Sequence, residues 1–150
     1  MNQTLIRQAG GSDTQVISRL QQQWFEEGSV YGFVPESQER VKAALSPYLL
    51  VAEVGDQVIG FISGSVSISD GMAVIPEGES YLEVDNLYVA PEFRRRGVAS
   101  RLITQLLAQA KQQGVAYAVL YSAAKDIHGI LRFYERHGFQ SWYVRVFRKL

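Results

Sequence analysis

The chain has 150 residues, 47% of them hydrophobic and 20% charged, with no cysteine and a formal net charge of zero. That balance supports a buried core without covalent staples and excludes disordered, collagen-like and coiled-coil chains. It also excludes a disulfide framework, a thiolate metal site and a cysteine nucleophile, so no metal is expected and any acyl transfer must avoid a cysteine-bound intermediate. No apolar run approaches the roughly 18 residues of a membrane helix, and residues 1–7 lack the basic and apolar stretches of a signal peptide. A single cytoplasmic domain over residues 1–150, without a membrane partner, is therefore expected. The zero net charge argues against a generally basic nucleic-acid binder, but it hides a division. Between Glu26 and Phe93 twelve acids face only two bases, Arg40 and Lys42, whereas from Arg94 onward eleven bases face two acids, Asp126 and Glu135. The basic part suits an anionic ligand and the acidic part a cationic one.

Residues 4–7 read as a short strand, followed by Gly10-Gly11 and a helix cap at Ser12 or Asp13. Val16, Ile17, Leu20 and Trp24 recur at helical spacing, which predicts a helix over about 13–26 that Gly28 ends. Residues 28–35, with Tyr31 and Phe33, form an aromatic loop that is a candidate substrate wall. A second short helix, opened by Ser37, carries Val41, Ala44 and Leu45 up to Pro47. Two β-rich runs, 48–54 and 58–66, are joined by Gly55-Asp56-Gln57 as a hairpin, and a third strand spans 81–89. After Pro91 the period changes: Val98, Leu102, Ile103, Leu106, Leu107 and Ala110 form one face of a helix that Gly114 closes. An apolar strand over 115–121 follows, then a helix from Lys125 or Asp126 to His137 stopped by Gly138, then a strand-like run over 139–150. This order predicts an α/β domain, a mixed and mostly antiparallel sheet flanked by helices, with a central right-handed βαβ crossover.

The turn of that crossover is Pro91-Glu92-Phe93-Arg94-Arg95-Arg96-Gly97-Val98-Ala99-Ser100. Unpaired N–H groups at a helix N-terminus, three arginines and a glycine that admits close approach make an anion site, with a diphosphate as its natural occupant. A solvated basic patch or a contact to nucleic-acid phosphates remain the alternatives on these residues alone. Neither a P-loop lysine motif nor a three-glycine dinucleotide fingerprint is present.

The surrounding pattern resembles the GNAT superfamily of acetyl-CoA-dependent N-acetyltransferases. Arg94, Gly97 and Ala99 match its core motif behind Leu87-Tyr88-Val89-Ala90-Pro91-Glu92-Phe93, and Phe133-Tyr134-Glu135-Arg136-His137-Gly138-Phe139 matches its second element. The resemblance implies that acetyl-CoA is the co-substrate, with its pyrophosphate on the N–H groups of Arg95, Arg96, Gly97, Val98, Ala99 and Ser100 beside the arginine charge. It further implies that the pantetheine arm lies along Leu87, Tyr88 and Val89, with a backbone N–H near Leu87 on the thioester carbonyl. Glu83 and Asp85 are the candidate proton acceptors, both on one strand face unless a bulge intervenes, and we rank Glu83 ahead of Asp85. Tyr134 is the implied acid for the departing thiolate. Ile127 stands where the family often carries an asparagine, and His128 and His137 fall outside its catalytic positions, which points to surface or helix-end roles. The expected reaction is direct acetyl transfer to a primary amine of a small molecule. A protein N-terminus or lysine as acceptor, and a non-catalytic acyl-CoA sensor, are the other readings. A homodimer in which a partner subunit completes the sheet edge is also expected.

Overall fold

Strand and helix follow the hydrophobic period closely in a computed structural model, which describes residues 3–150. The strands are β1 (Thr4–Gln8), β2 (Leu49–Val54), β3 (Gln57–Ile68), β4 (Ser80–Val89) and β5 (Tyr117–Val119). The helices are α1 (Thr14–Glu27), α2 (Gln38–Ala43), α3 (Val98–Gln112) and α4 (Ile127–Arg136). One sheet holds all five strands in the order β1-β2-β3-β4-β5. Every pairing is antiparallel except β4 with β5, which the crossover through α3 makes parallel. The mixed, mostly antiparallel α/β architecture read from the sequence is the one observed.

Alternating side chains give the sheet two apolar faces. Leu50, Ala52, Ile62, Leu82 and Val84 join Leu102, Ile103 and Leu106 of α3, and Tyr134 of α4 packs there too. Leu49, Val51, Phe61 and Tyr88 join Ile17 and Leu20 of α1 and Val41 of α2. Three layers result, with the central strands buried on both sides. Arg7 fastens the layers at one edge: its guanidinium donates to both carboxylate oxygens of Asp13, at 2.8 and 2.9 Å, and to Glu53 at 2.7 Å. These contacts hold the Asp13 carboxyl below its usual pKa, the Arg7 hydrogen bond being the largest cause.

Local signals explain the helix ends. Gly28 ends α1 in the left-handed region, at φ 63°, with its N–H donating to Phe25 O. Ser37 caps α2 through Arg40 N–H, and Asp126 caps α4 through Gly129 N–H at 3.2 Å. Two expectations fail at the C-terminal side. The strand foreseen over 115–121 shrinks to Tyr117–Val119, and the strand-like run over 139–150 is neither helix nor strand. A strand exists only by pairing, and among the described residues no strand pairs with 139–150. Val144, Val146 and Phe147 are consequently exposed, although Phe147 meets the Tyr31 ring edge-on at 5.8 Å.

The β3–β4 register shifts by one residue, Ser63 facing Asn86 and Gly64 facing Val84, so Asp85 is an unpaired bulge. Gly64 belongs there because a Cβ would sit 2.9 Å from Glu83 O. On the other side of β4, pairing with β5 stops at Glu83. From the bulge onward the two parallel strands part, and a cleft opens between them.

Candidate active site

The cleft has a volume of about 1630 Å³ and runs from the loop before α3 to the aromatic loop after α1. Its β4 wall carries free backbone groups. Ala90 N–H donates to Ile59 O of β3 at 2.8 Å, and antiparallel pairing alternates, so the N–H and C=O of Leu87 and Val89 point the opposite way, to the parted edge. There Val89 O accepts from Arg94 Nε, and the N–H groups of both residues and Leu87 O are left to the cleft. Both residues line the cleft, and β5 offers them no partner.

At one end, the turn into α3 is bent by two left-handed residues, Arg95 at φ 62° and Gly97 at φ 77°. Gly97 is the N-cap of α3 and supplies no side-chain acceptor for the first N–H groups. Those groups, the helix dipole and the Arg95 guanidinium form a cradle that could hold an anion. Arg94, Arg95 and Ala99 line the cleft at this end. A Cβ on Gly97 would meet nothing within 4 Å, so it is the positive φ and not crowding that calls for glycine.

Tyr134 reaches the same cleft from α4. It is 9% exposed, and burial pushes its phenol up to about 12, so the hydroxyl keeps its proton at neutral pH. Asp85 faces the cleft from the bulge, whereas Glu83 lies outside the lining. Asp85 is exposed, yet desolvation at its carboxyl, then the nearby charges of Glu83 and Glu36, raise its pKa, and a hydrogen bond from Ser65 offsets part of that rise. The two acids therefore differ in position along β4: Glu83 is paired with Ser65 on one side and Val119 on the other, and Asp85 lies just beyond, where the cleft opens.

Residues 14–139 match the family model described as acetyltransferase (GNAT) family. The chain belongs to this family. An uncharacterized N-acetyltransferase of Methanocaldococcus jannaschii is 28% identical over 90 residues, which cover 60% of this chain and 38% of that protein. The chain thus matches well under half the length of that curated relative. Among solved structures, a ribosomal-protein-alanine N-acetyltransferase from Brucella melitensis biovar Abortus superposes with a TM-score of 0.72 at 19% identity, covering 98% of this chain and 99% of the other. The aminoglycoside enzyme AAC(6')-Iy, in complex with a bisubstrate analogue built on CoA, gives 0.74 at 20% identity with 99% of each chain covered. At these identities the structures establish a shared fold.

Within this family frame, several placements differ from simple expectation. Arg94 does not extend freely toward an anion: it donates to both Glu27 oxygens at 2.9 Å and through Nε to Val89 O at 2.8 Å, and lies over the Tyr88 ring. Tyr88 turns its phenol to the same Glu27 at 2.7 Å, and burial followed by that carboxylate raise its pKa well above the usual value. Trp24 stacks on Tyr88 and touches Phe33. Arg96 covers the Phe93 ring, and Ser100 bonds His137 at 3.1 Å, tying α3 to the end of α4. His137 is thus a helix-end residue, and His128 is exposed.

The sequence reading passed over Gln21, Glu27, Ser65 and Glu36, which all line the cleft or fix residues that do. Glu27 and Glu36 flank the aromatic loop, and only the folded chain shows that both turn inward. No helix among the described residues is long and apolar enough to cross a membrane.

Proposed function

We propose that the chain is an acetyl-CoA-dependent N-acetyltransferase acting on a primary amine of a small molecule, through direct transfer in a ternary complex. The carrying observation is that the α3 anion cradle, the unpaired β4 edge, Asp85 and Tyr134 open onto one cleft. The N–H groups of Arg95 to Ser100 would hold the pyrophosphate, with Arg95 as the free charge and Arg94 fixing the loop. The backbone of Leu87 and the N–H of Val89 would bond the pantetheine arm as a neighbouring strand would, Val89 O being held by Arg94. The Leu87 N–H would donate to the thioester oxygen as charge grows there.

An amine of pKa near 10 carries its proton at neutral pH, and removing it costs ~4 kcal/mol. Asp85, with its raised pKa and its position on the cleft, is the better acceptor for that proton, directly or through water, so we place it ahead of Glu83. The amine nitrogen then bonds the acetyl carbon, the carbon–sulfur bond breaks, and the Tyr134 hydroxyl gives its proton to the sulfur. No metal takes part in this scheme, and among the described residues no cluster of three or more acid or histidine side chains could hold one.

Support for a small acceptor comes from the cleft walls. Val30 and Ala124 form an antiparallel bridge, with Tyr31 N–H on Ala123 O at 3.0 Å and Lys125 N–H on Ser29 O at 2.9 Å. The loop after α1 and the loop after β5 are thereby tied together where both line the cleft, which favours a slender molecule over a polypeptide.

Calorimetry with acetyl-CoA, followed by thiol release across small amines and peptides, tests the reading. We expect binding, turnover with a small amine, and a kcat lowered by about 10²- to 10⁴-fold in Tyr134→Phe with acetyl-CoA affinity retained. Absence of acetyl-CoA binding overturns the proposal. Binding without transfer to any amine identifies an acyl-CoA sensor instead, and turnover of peptides alone identifies a protein acetyltransferase.

A further inference from the structure

The cleft is lined by four carboxylates, Glu27, Glu36, Asp85 and Asp126. Two have partners inside the protein: Glu27 pairs with Arg94 and accepts from Tyr88, and Asp126 caps α4. Among the described residues, neither Asp85 nor Glu36 forms an ion pair. They lie near enough for the charge of Glu36 to raise the pKa of Asp85. A like-charged pair left without a cation costs free energy in the empty protein, and a bound cation relieves it.

Glu36 is also held in place. Gln21 is 2% exposed, and its side-chain amide grips Glu36 twice: the Gln21 carbonyl oxygen accepts the Glu36 N–H at 2.7 Å, and its NH₂ donates to a Glu36 carboxylate oxygen at 3.2 Å. Ser18 adds a bond to Glu36 O at 3.1 Å. A buried amide spent on orienting one half-buried carboxylate leaves that group's second oxygen for a ligand. Lys125, the remaining cation on this stretch of wall, is drawn over the Tyr31 ring at 5.4 Å. Tyr31, Phe33 and Trp24 supply the apolar flank that an alkyl chain would follow.

We infer that Glu36 is a specificity-determining residue that binds a second ammonium group of the acceptor, so the substrate class is a slender diamine or polyamine with one amine at Asp85 and another at Glu36. This rests on the acetyltransferase reading given above. It adds a demand that a general amine site would not make, namely two cationic nitrogens joined by an apolar spacer.

The test compares putrescine, cadaverine and spermidine with n-butylamine and n-pentylamine in the parent and in Glu36→Gln, an isosteric change that keeps a partner for Gln21. The expected parent preference, as a ratio of kcat/KM, is about tenfold or more for the diamines, the value of one charge-assisted contact. In Glu36→Gln that ratio falls toward unity, chiefly through a raised KM for the diamines, with an unchanged melting temperature. Titration of putrescine into the CoA-saturated protein gives a second readout, expected to weaken by a similar factor in the variant. Equal turnover of monoamines and diamines by the parent, or a preference that survives Glu36→Gln, overturns the inference while leaving acetyl transfer standing. Failure to acetylate any amine overturns both.

Discussion

Glu83 is paired in register with Ser65 of β3 and Val119 of β5, whereas Asp85 is the extra residue of β4. Before it, Leu82 and Val84 pack toward α3, and after it Leu87 does, so the facing parity reverses across Asp85. Bulges and the end of strand pairing arise from how strands meet, and one strand's own residues carry little trace of them, which is why ranking Glu83 first was natural from sequence; the position of Asp85 on the cleft is why we propose it ahead of Glu83. Tyr134, by contrast, lies on the helix that its motif predicts and lines the cleft. The acid ranking has a kinetic signature. A carboxylate base works when deprotonated, and the Asp85 pKa is raised, so kcat at saturating amine should decline as pH falls through a value above the ordinary 3.8. Asp85→Asn should remove that limb and lower kcat by about 10²-fold or more. Glu83→Gln removes one of the charges that raise the Asp85 pKa, so it should move the limb to lower pH and change the plateau by less than about tenfold. A pH–rate series on the three proteins decides the matter, and loss of the limb in Glu83→Gln alone would restore Glu83 as the base.

Helices and the antiparallel strands were legible because their signals are local. The apolar stripe of α3 and the stops at Gly28, Gly114 and Gly138 sit within a turn of the residues they control. Residues 139–150 carry β-branched and aromatic side chains yet form no strand, since propensity without a partner edge makes none. The short β5 has the complementary cause: β4 turns away at the bulge, and the cleft itself is the missing pairing. The loop before α3 lies between these cases. Its glycine is expected from sequence to serve an anion site through close approach, whereas the structure shows a requirement of backbone shape, with open space around the absent Cβ. An L-residue in this left-handed region costs about 1–2 kcal/mol, and Gly97→Ala can avoid that only by rotating the N–H groups out of the cradle. Acetyl-CoA affinity measured by calorimetry should therefore fall about tenfold in Gly97→Ala with helix content retained by circular dichroism. Unchanged affinity would mean that the cradle does not hold the pyrophosphate.

Across the whole molecule, the charge division seen along the chain persists in part. The cleft lining includes Arg95 from the loop before α3 and Asp85 and Glu36 from the bulge and the aromatic loop, and one member of each charge set is neutralised in the Arg94–Glu27 ion pair. That pair also joins the end of α1 to the loop before α3. Lys125 is the exception, a cation placed beside the aromatic loop. A bipolar cleft of this kind attracts an anionic and a cationic ligand to different ends, and each attraction weakens with salt. Raising ionic strength from about 0.01 M to 0.15 M shortens screening from about 30 Å to about 8 Å, so KM for acetyl-CoA and KM for a diamine should both rise. The ends should respond separately to substitution: Arg95→Ala should flatten the salt response of acetyl-CoA and leave that of the diamine, and Glu36→Gln should do the reverse. Steady-state kinetics over a salt series with the two variants checks this, and a substitution at one end that alters both responses equally would show that the cleft acts as one undivided field.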